Sequence, residues 1–373
     1  MSTHHEDIDR LLDDAKELDD GPAKVALVEE AVNIADTHRD EDAAFRARYD
    51  LIQAASFAGQ PDVMLVSFAW CLAKYDSDPA RFDPDGDIHL HLLWRYKWVI
   101  GQLPDFPQFG KAQIADMLAD MKVRYKAWGS TLHAYHDESE SVALTIGDKA
   151  AAVEAHKKFV KAKRDSLSNC AACVQDQLVR YHNFCGRPEQ AVAAAEPILS
   201  RKMTCNSVPH RTYGRLLGIL FKLKQLDTAM AHHKAGYPMI ARKPGMVSSV
   251  DDHIRFLTLT NNLDRAAKLF GRHLSVALAS TCPNTRFGFL REGRLLMHRL
   301  GETGHATVAL RVPADHPLHA PTGNANVANA FAWLDGDCRE LAAAFDARNE
   351  TTKYAEGLAK DLTIAVQPYK YER

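Results

Sequence analysis

The sequence predicts an all-α chain, a row of about nine antiparallel helical hairpins stacked one on the next. Three observations carry that prediction. Almost every segment reads as an amphipathic helix of roughly 12 to 18 residues, with apolar positions three and four apart. Strand-like alternation is nearly absent. Turn residues followed five positions later by a small residue recur about every 35 to 40 residues, with one interval of about twice that length.

In chain order the recurring pairs are Gly21 with Ala26, Gly147 with Ala152, Gly186 with Ala191, Lys224 with Ala229, Asn261 with Ala266 and Gly301 with Ala306. Gly59 and Gly336 keep the turn but place Met64 and Leu341 at the fifth position. The long interval after Gly59 holds its own helix pair, 89–102 and 111–126, broken by the Pro-rich stretch 103–110. A small residue at the fifth position lets the second helix of a hairpin approach the first, and a Gly or Asn turn ends the first helix. Pro22, Pro61 and Pro188 follow their turns where a helix can begin without losing a needed donor. Phe68, Phe270 and Phe345, nine positions past their turns, are expected to fill the core. After His305 the pattern changes. Residues 307–313 are β-branched and end at a proline, and 313–323 contains three prolines, so an extended connector or short strand is expected there. A helical hairpin over 326–349 and a helix toward Ile364 then cap the stack, dividing the chain into 1–305, the helical repeats, and 306–373, the connector and cap.

In Gly59, Met64 and Phe68, and again in Asn261, Ala266 and Phe270, the chain resembles the tetratricopeptide repeat family over roughly residues 6–305. The resemblance implies a right-handed α-solenoid whose inner face, lined by the first helices of the hairpins, binds a protein or peptide segment. The chain departs from the family pattern in two ways: most repeats lack its aromatic and Leu-Gly pair, and the periods exceed its usual length of about 34 residues. Mapped from the turns, the inner face would carry Asp176, Arg180 and Asn183, then Asp251, Arg255 and Thr258, then Arg291 and His298. Arginines on successive repeats suit a carboxylate or an acidic peptide. Alternatively, Asp176 with Arg180 and Asp251 with Arg255 pair along their own helices. As a whole the chain is also similar to a bacterial group of repeat proteins sharing Asn169-Cys-Ala-Ala-Cys173, Val208-Pro-His-Arg-Thr-Tyr213 and Phe345-Asp-Ala-Arg-Asn349, from which no activity carries over.

Composition excludes several classes. Hydrophobic residues make up 46% and charged residues 25%, which argues against disorder, collagen and a membrane protein. A net charge of -2 offers no bulk attraction to nucleic acid. The first residues hold no basic-then-apolar leader and no apolar run approaches about 18 residues, so a cytoplasmic location away from membranes is expected. The 18 histidines make the charge pH-sensitive, a result that scattered surface residues also give. An odd count of seven cysteines points to reduced thiols or metal ligands rather than a disulfide framework.

The sharpest chemical feature is Cys170-Ala-Ala-Cys173 together with Cys205 and His210. The first pair opens one hairpin and the second leaves it, so topology brings all four to one edge of the stack. Three thiolates and an imidazole make a tetrahedral zinc set, and four protein ligands leave no open position, so the expected ion is structural. The alternatives are small buried hydrophobes and a redox pair, although the strand context of thioredoxin-like folds is missing. Cys185, about 18 Å along the helix from Cys173, cannot join them. Asp83-Pro-Asp-Gly-Asp87 lacks the glycine and terminal glutamate of a calcium loop. His133 with His136 lacks the order of a zinc hydrolase, and the basic run 156–164 reads as a solvated face. With no phosphate loop or nucleophile elbow, the leading expectation is a non-enzymatic peptide-binding scaffold. A sensor whose solenoid responds to a peptide is the second, and an enzyme the third.

Overall fold

The computed structural model describes residues 3–371, with 18 α-helices among them. The all-α expectation holds: one two-stranded ladder is the only sheet among the described residues. The chain divides into two compact units. Unit 1 comprises the described residues up to Pro104 with Ala112–Val142 and Ala155–Ser168, and unit 2 comprises Asp105–Lys111, Ala143–Glu154 and the chain from Asn169 on.

Unit 1 contains α1 (Thr3–Lys16), α2 (Pro22–Thr37), α3 (Glu41–Ala58), α4 (Pro61–Ser77), α5 (Pro79–Phe82) and α6 (Ile88–Gln102). It also holds most of α7 (Lys111–Ala127) and α8 (His133–Ile146), and the end of α9 (Lys149–Phe159). Helix α3 starts on Asp40, whose Oδ1 accepts the Ala43 N–H at 3.0 Å, and stops at Gly59, whose φ of 76° few side chains tolerate. Helices α1 to α4 pack each on the next: Ile8, Val28, Ala31, Ala47 and Leu51 of the first three are buried, and Val63 and Trp70 of α4 pack partly buried against that cluster. Further along, the Tyr125 hydroxyl donates to the Leu93 carbonyl at 2.8 Å and ties α7 to α6. Lys97 is only 1% exposed; its Nζ donates to the Leu167 carbonyl at 2.6 Å and sits 3.2 Å from the centre of the Trp94 ring. A carbonyl and an aromatic face thus replace the water lost from that cation.

Unit 2 runs through α10 (Ala171–Phe184), α11 (Pro188–Leu199), α12 (His210–Lys222), α13 (Leu226–Ile240), α14 (Val247–Leu259), α15 (Leu263–Leu278) and α16 (Pro283–Glu302). Helix α10 packs on α11 and α12, α12 on α13 and α14, and α14 on α15 and α16. The turn rule works here. Gly186, Lys224 and Asn261 have φ of 74°, 58° and 60°, and Ala191, Ala229 and Ala266 are fully buried. The expected core aromatics Phe68, Phe270 and Phe345 are buried as well. Phe270 stacks on Phe289 at 5.1 Å, and a Cβ on Gly293 would stand 2.3 Å from the Phe270 ring, so only glycine lets α16 approach α15 this closely.

The structure corrects three details. At Gly21 φ is extended and Ala26 is exposed; Val25, one residue earlier, takes the buried place. Gly301 lies inside α16, the turn falls at Gly304 with φ 81°, and Ala306 precedes β1 (Thr307–Ala309), which pairs antiparallel with β2 (Asn324–Asn326) as Val308 opposite Ala325. The hairpin expected over 326–349 is one continuous helix, α17 (Val327–Asn349), with Gly336 inside it. Val327, Ala330, Leu334, Cys338, Ala342 and Phe345 form an uninterrupted buried stripe along α17. That burial outweighs the roughly 1 kcal/mol a mid-helix glycine costs. Helix α18 (Lys353–Asp361) follows, started by Asp346, whose carboxylate accepts the N–H groups of Tyr354 and Ala355. The remaining tail is extended and latched: Gln367 and Tyr369 donate their backbone N–H groups to the carbonyls of Leu259 and Thr260, at 2.9 and 3.0 Å.

A candidate metal centre and an arginine-lined face

Cys170 caps α10, its sulfur accepting the Cys173 N–H at 3.4 Å. Cys205 comes from the loop after α11, where its own N–H donates to the Val208 carbonyl at 2.9 Å and closes a tight turn. The three sulfurs lie within 4.8 Å of one another, Cys173 and Cys205 being 3.5 Å apart. The cluster is half-buried against Ala172, Ile198 and Val208. The hydrogen bond between Cys173 and Cys205 splits their acidities. It holds the Cys205 thiol below its ordinary value, helped by backbone N–H groups of Ser207 and Val208, and with burial it holds Cys173 above. Arg211 lies close enough to interact electrostatically with both Cys173 and Cys205. A tetrahedral ion about 2.3 Å from each sulfur would set the sulfurs about 3.8 Å apart. The donor set fits a metal ion.

The sequence expected four ligands together, and His210 is not within the group of three. It is the first residue of α12; its Nε2 lies 3.2 Å from the Lys243 Nζ, and its buried Nδ1 has no hydrogen-bond partner. Burial and Lys243 lower the pKa of its ring, with Cys205 acting in the opposite sense. The remaining cysteines stay apart as expected. All seven are free thiols, Cys71, Cys282 and Cys338 are buried, and burial pushes those three up to about 12, 11 and 12.

Of the residues expected on a binding face, several gather along the first helices of unit 2 with different partners from those expected. Asp176, fully buried, does not pair with Arg180 on its own helix. Its carboxylate accepts from Arg211 Nε at 2.7 Å, from Thr212 Oγ1 at 2.7 Å and from Arg215, all on α12. Arg180 donates instead to Thr145 Oγ1 at 2.5 Å. Likewise Arg255 ignores Asp251 and reaches Glu292 on α16 at 2.9 Å and Asp361 at 2.7 Å. Arg291 grips the same Asp361 with two nitrogens, at 2.5 and 2.9 Å. Same-helix pairing loses because the facing helix offers a better-aligned fork and a drier setting. Asp251 packs beside Gly288 of α16, with its carboxylate accepting the Asp252 N–H. Thr258 does not face a groove: it is fully buried, and its hydroxyl donates to the Ile254 carbonyl. His298 pairs with Glu302 on its own helix and lies against Phe331, and Asn183 is half-buried on α10.

Sequence reasoning missed Arg211, Arg215, Asp252, Glu292, Asp361 and Asp105. One signal was there. Arg180, Arg215, Arg255 and Arg291 recur at roughly one repeat length, about 35 to 40 residues, and Arg215 belongs to that series. The carboxylates divide electrostatically. Asp176 and Asp361 are opposed by burial, but their arginines outweigh it and hold them below the ordinary range. Burial pushes Asp105 and Asp252 up to about 6, and raises Asp251 and Glu292 as well. Carboxyls held up this way oppose folding at neutral pH, since the unfolded chain ionises them freely.

No protein-family model and no curated protein matches this chain. Among the described residues no helix is long and apolar enough to cross a membrane.

Proposed function

We propose that the chain is a non-enzymatic helical-repeat scaffold, a tetratricopeptide-repeat-like solenoid, that binds an acidic segment of a protein partner on the arginine-lined face of unit 2. The observation that carries this reading is the grip on Asp361: guanidinium groups from two neighbouring first helices close on one carboxylate, Arg291 in the bidentate fork that suits carboxylates. Arg215 continues the series with Arg211 one turn before it, and both remain about a third exposed, at 29% and 32%. The test is calorimetric titration with a Glu/Asp-rich peptide and a Lys-rich peptide of equal length. Binding of the acidic peptide alone, weakened at least tenfold in Arg255→Ala/Arg291→Ala and falling with added salt, is expected. Equal binding of both peptides, or of neither, contradicts the reading.

Beside that face Cys170, Cys173 and Cys205 bind a structural zinc ion, with His210, whose buried Nδ1 lacks a partner, supplying the fourth ligand. The ion ties the start of α10 to the entry of α12 and so holds Arg211 and Arg215 in register. Cobalt-loaded protein is expected to show thiolate charge-transfer absorption that disappears in Cys170→Ser/Cys173→Ser, with a marked fall in thermal stability. Unmetallated protein of unchanged stability contradicts the zinc assignment.

One observation favours a second reading, a peptide-responsive regulator. Asp361 and the latched tail belong to the chain itself, so an incoming acidic segment competes with an internal one. Release of the tail on binding would appear as new proteolytic cleavage after residue 361.

A further inference from the structure

A second group of metal-ligating side chains lies in unit 1, where the sequence reading named none. His4 and His5 occupy the first turn of α1, and Asp40 caps α3. Neighbouring residues on a helix point about 100° apart, so two successive histidines ordinarily face different surroundings. Here both rings turn their Nε2 atoms onto one oxygen, the Asp40 Oδ2, at 3.2 Å from His4 and 2.5 Å from His5. The other carboxylate oxygen is engaged elsewhere, accepting the Ala43 N–H at 3.0 Å, so the cap orients the free oxygen toward the rings. The two nitrogens and the oxygen lie within 4.8 Å of one another. His38, at the end of α2, stacks flat on His4 with centroids 4.3 Å apart and planes at 9°, fixing that ring from behind.

We propose that His4, His5 and Asp40 form a binding site for a divalent transition-metal ion of the zinc, cobalt or nickel type. Two imidazoles and one carboxylate match the nitrogen and oxygen preferences of those ions, whereas calcium and magnesium call for oxygen alone. Ligand atoms about 2.0 to 2.1 Å from a tetrahedral ion stand about 3.4 Å apart, so the His4 separation already fits and His5 has to withdraw by under about 1 Å. His5 is the most exposed of the three, at 39% against 18% and 19%, and has room to do so. Three protein ligands leave a position for water. The bound ion joins the first turn of α1 to the corner between α2 and α3, and makes the start of unit 1 metal-dependent.

Full-length chain without a histidine tag would be titrated with cobalt, in the wild type, His4→Ala/His5→Ala and Asp40→Asn. The asparagine can still cap α3 but lacks the anionic ligand. The expected result is a cobalt equivalent with weak visible bands and no thiolate charge transfer, accompanied by a rise in melting temperature. Its affinity should fall at least tenfold in both variants, and any thiolate-bound equivalent should be untouched by them. If the wild type and His4→Ala/His5→Ala bind the same number of equivalents with the same rise in melting temperature, the proposal is wrong. The thiolate band reports the cysteine cluster separately, so either site can fail without the other.

Discussion

Two stretches of the same row of helices use arginine differently. Between α10 and α12 the anion, Asp176, is built into a first helix, and the arginines come from the next first helix along. Between α14 and α16 the first helices supply the arginines, while Asp361 arrives from α18, 106 residues beyond Arg255 and 70 beyond Arg291. The first arrangement is a brace: it ties two packed helices of unit 2 to each other through one buried carboxylate. In the second the anion comes from a separate helix, and under the proposed function it would be the internal occupant of a receptor. Under the proposed function, equivalent positions on successive first helices would serve stability or recognition according to where the carboxylate originates.

The largest effect expected from this contrast is at Asp176. Asp176→Ala takes away the buried carboxylate that Arg211, Thr212 and Arg215 share and should destabilise the chain by about 2 to 4 kcal/mol in a denaturant titration, the arginines being partly solvated. A loss below about 1 kcal/mol would make the brace no more important than a surface pair. Asp252→Asn tests the opposite sign. The folded acidity of Asp252 is raised to about 6, so its contribution is favourable at low pH and is lost as pH rises through about 6. Removing that carboxylate should therefore stabilise the protein at pH 7, by about 2 kcal/mol, and have little effect at pH 4. Smaller still is Asp361→Asn, expected to cost about 1 to 2 kcal/mol because Arg255 keeps Glu292. If Asp361→Asn destabilised as much as Asp176→Ala, brace and receptor would not be distinct. The last effect is on binding. As pH falls through about 6, Asp105 and Asp252 take up protons and the face becomes more positive, so affinity for an acidic peptide should rise a few-fold between pH 7.5 and 5.5.

What could be read from sequence was what is local. Gly59, Gly147 and Gly186 sit in left-handed turns, and the alanines at 152, 191, 229 and 266 are fully buried, because close helix approach needs a small residue five positions past a turn. Gly301 and Gly336 misled for the complementary reason: a glycine carries the same local signal inside a helix as at its end, and only the buried stripe of α17 decides between them. At the sites, three cysteines met because their spacing follows the hairpin, whereas His210, one turn further on, falls outside the group. The face residues were mostly placed on the right helices, but their partners were not. Asp361 and the His4–His5–Asp40 group join residues far apart in sequence, and no periodicity links them.

The most direct test compares the affinity of the Glu/Asp-rich peptide for the wild type with that for Asp361→Asn in one buffer at low salt. If Asp361 occupies the receptor as an internal ligand, its neutralisation should tighten peptide binding several-fold, and Arg255→Ala/Arg291→Ala should remove that gain. Unchanged or weaker binding in Asp361→Asn would mean that those arginines hold the chain together and recognise nothing outside it.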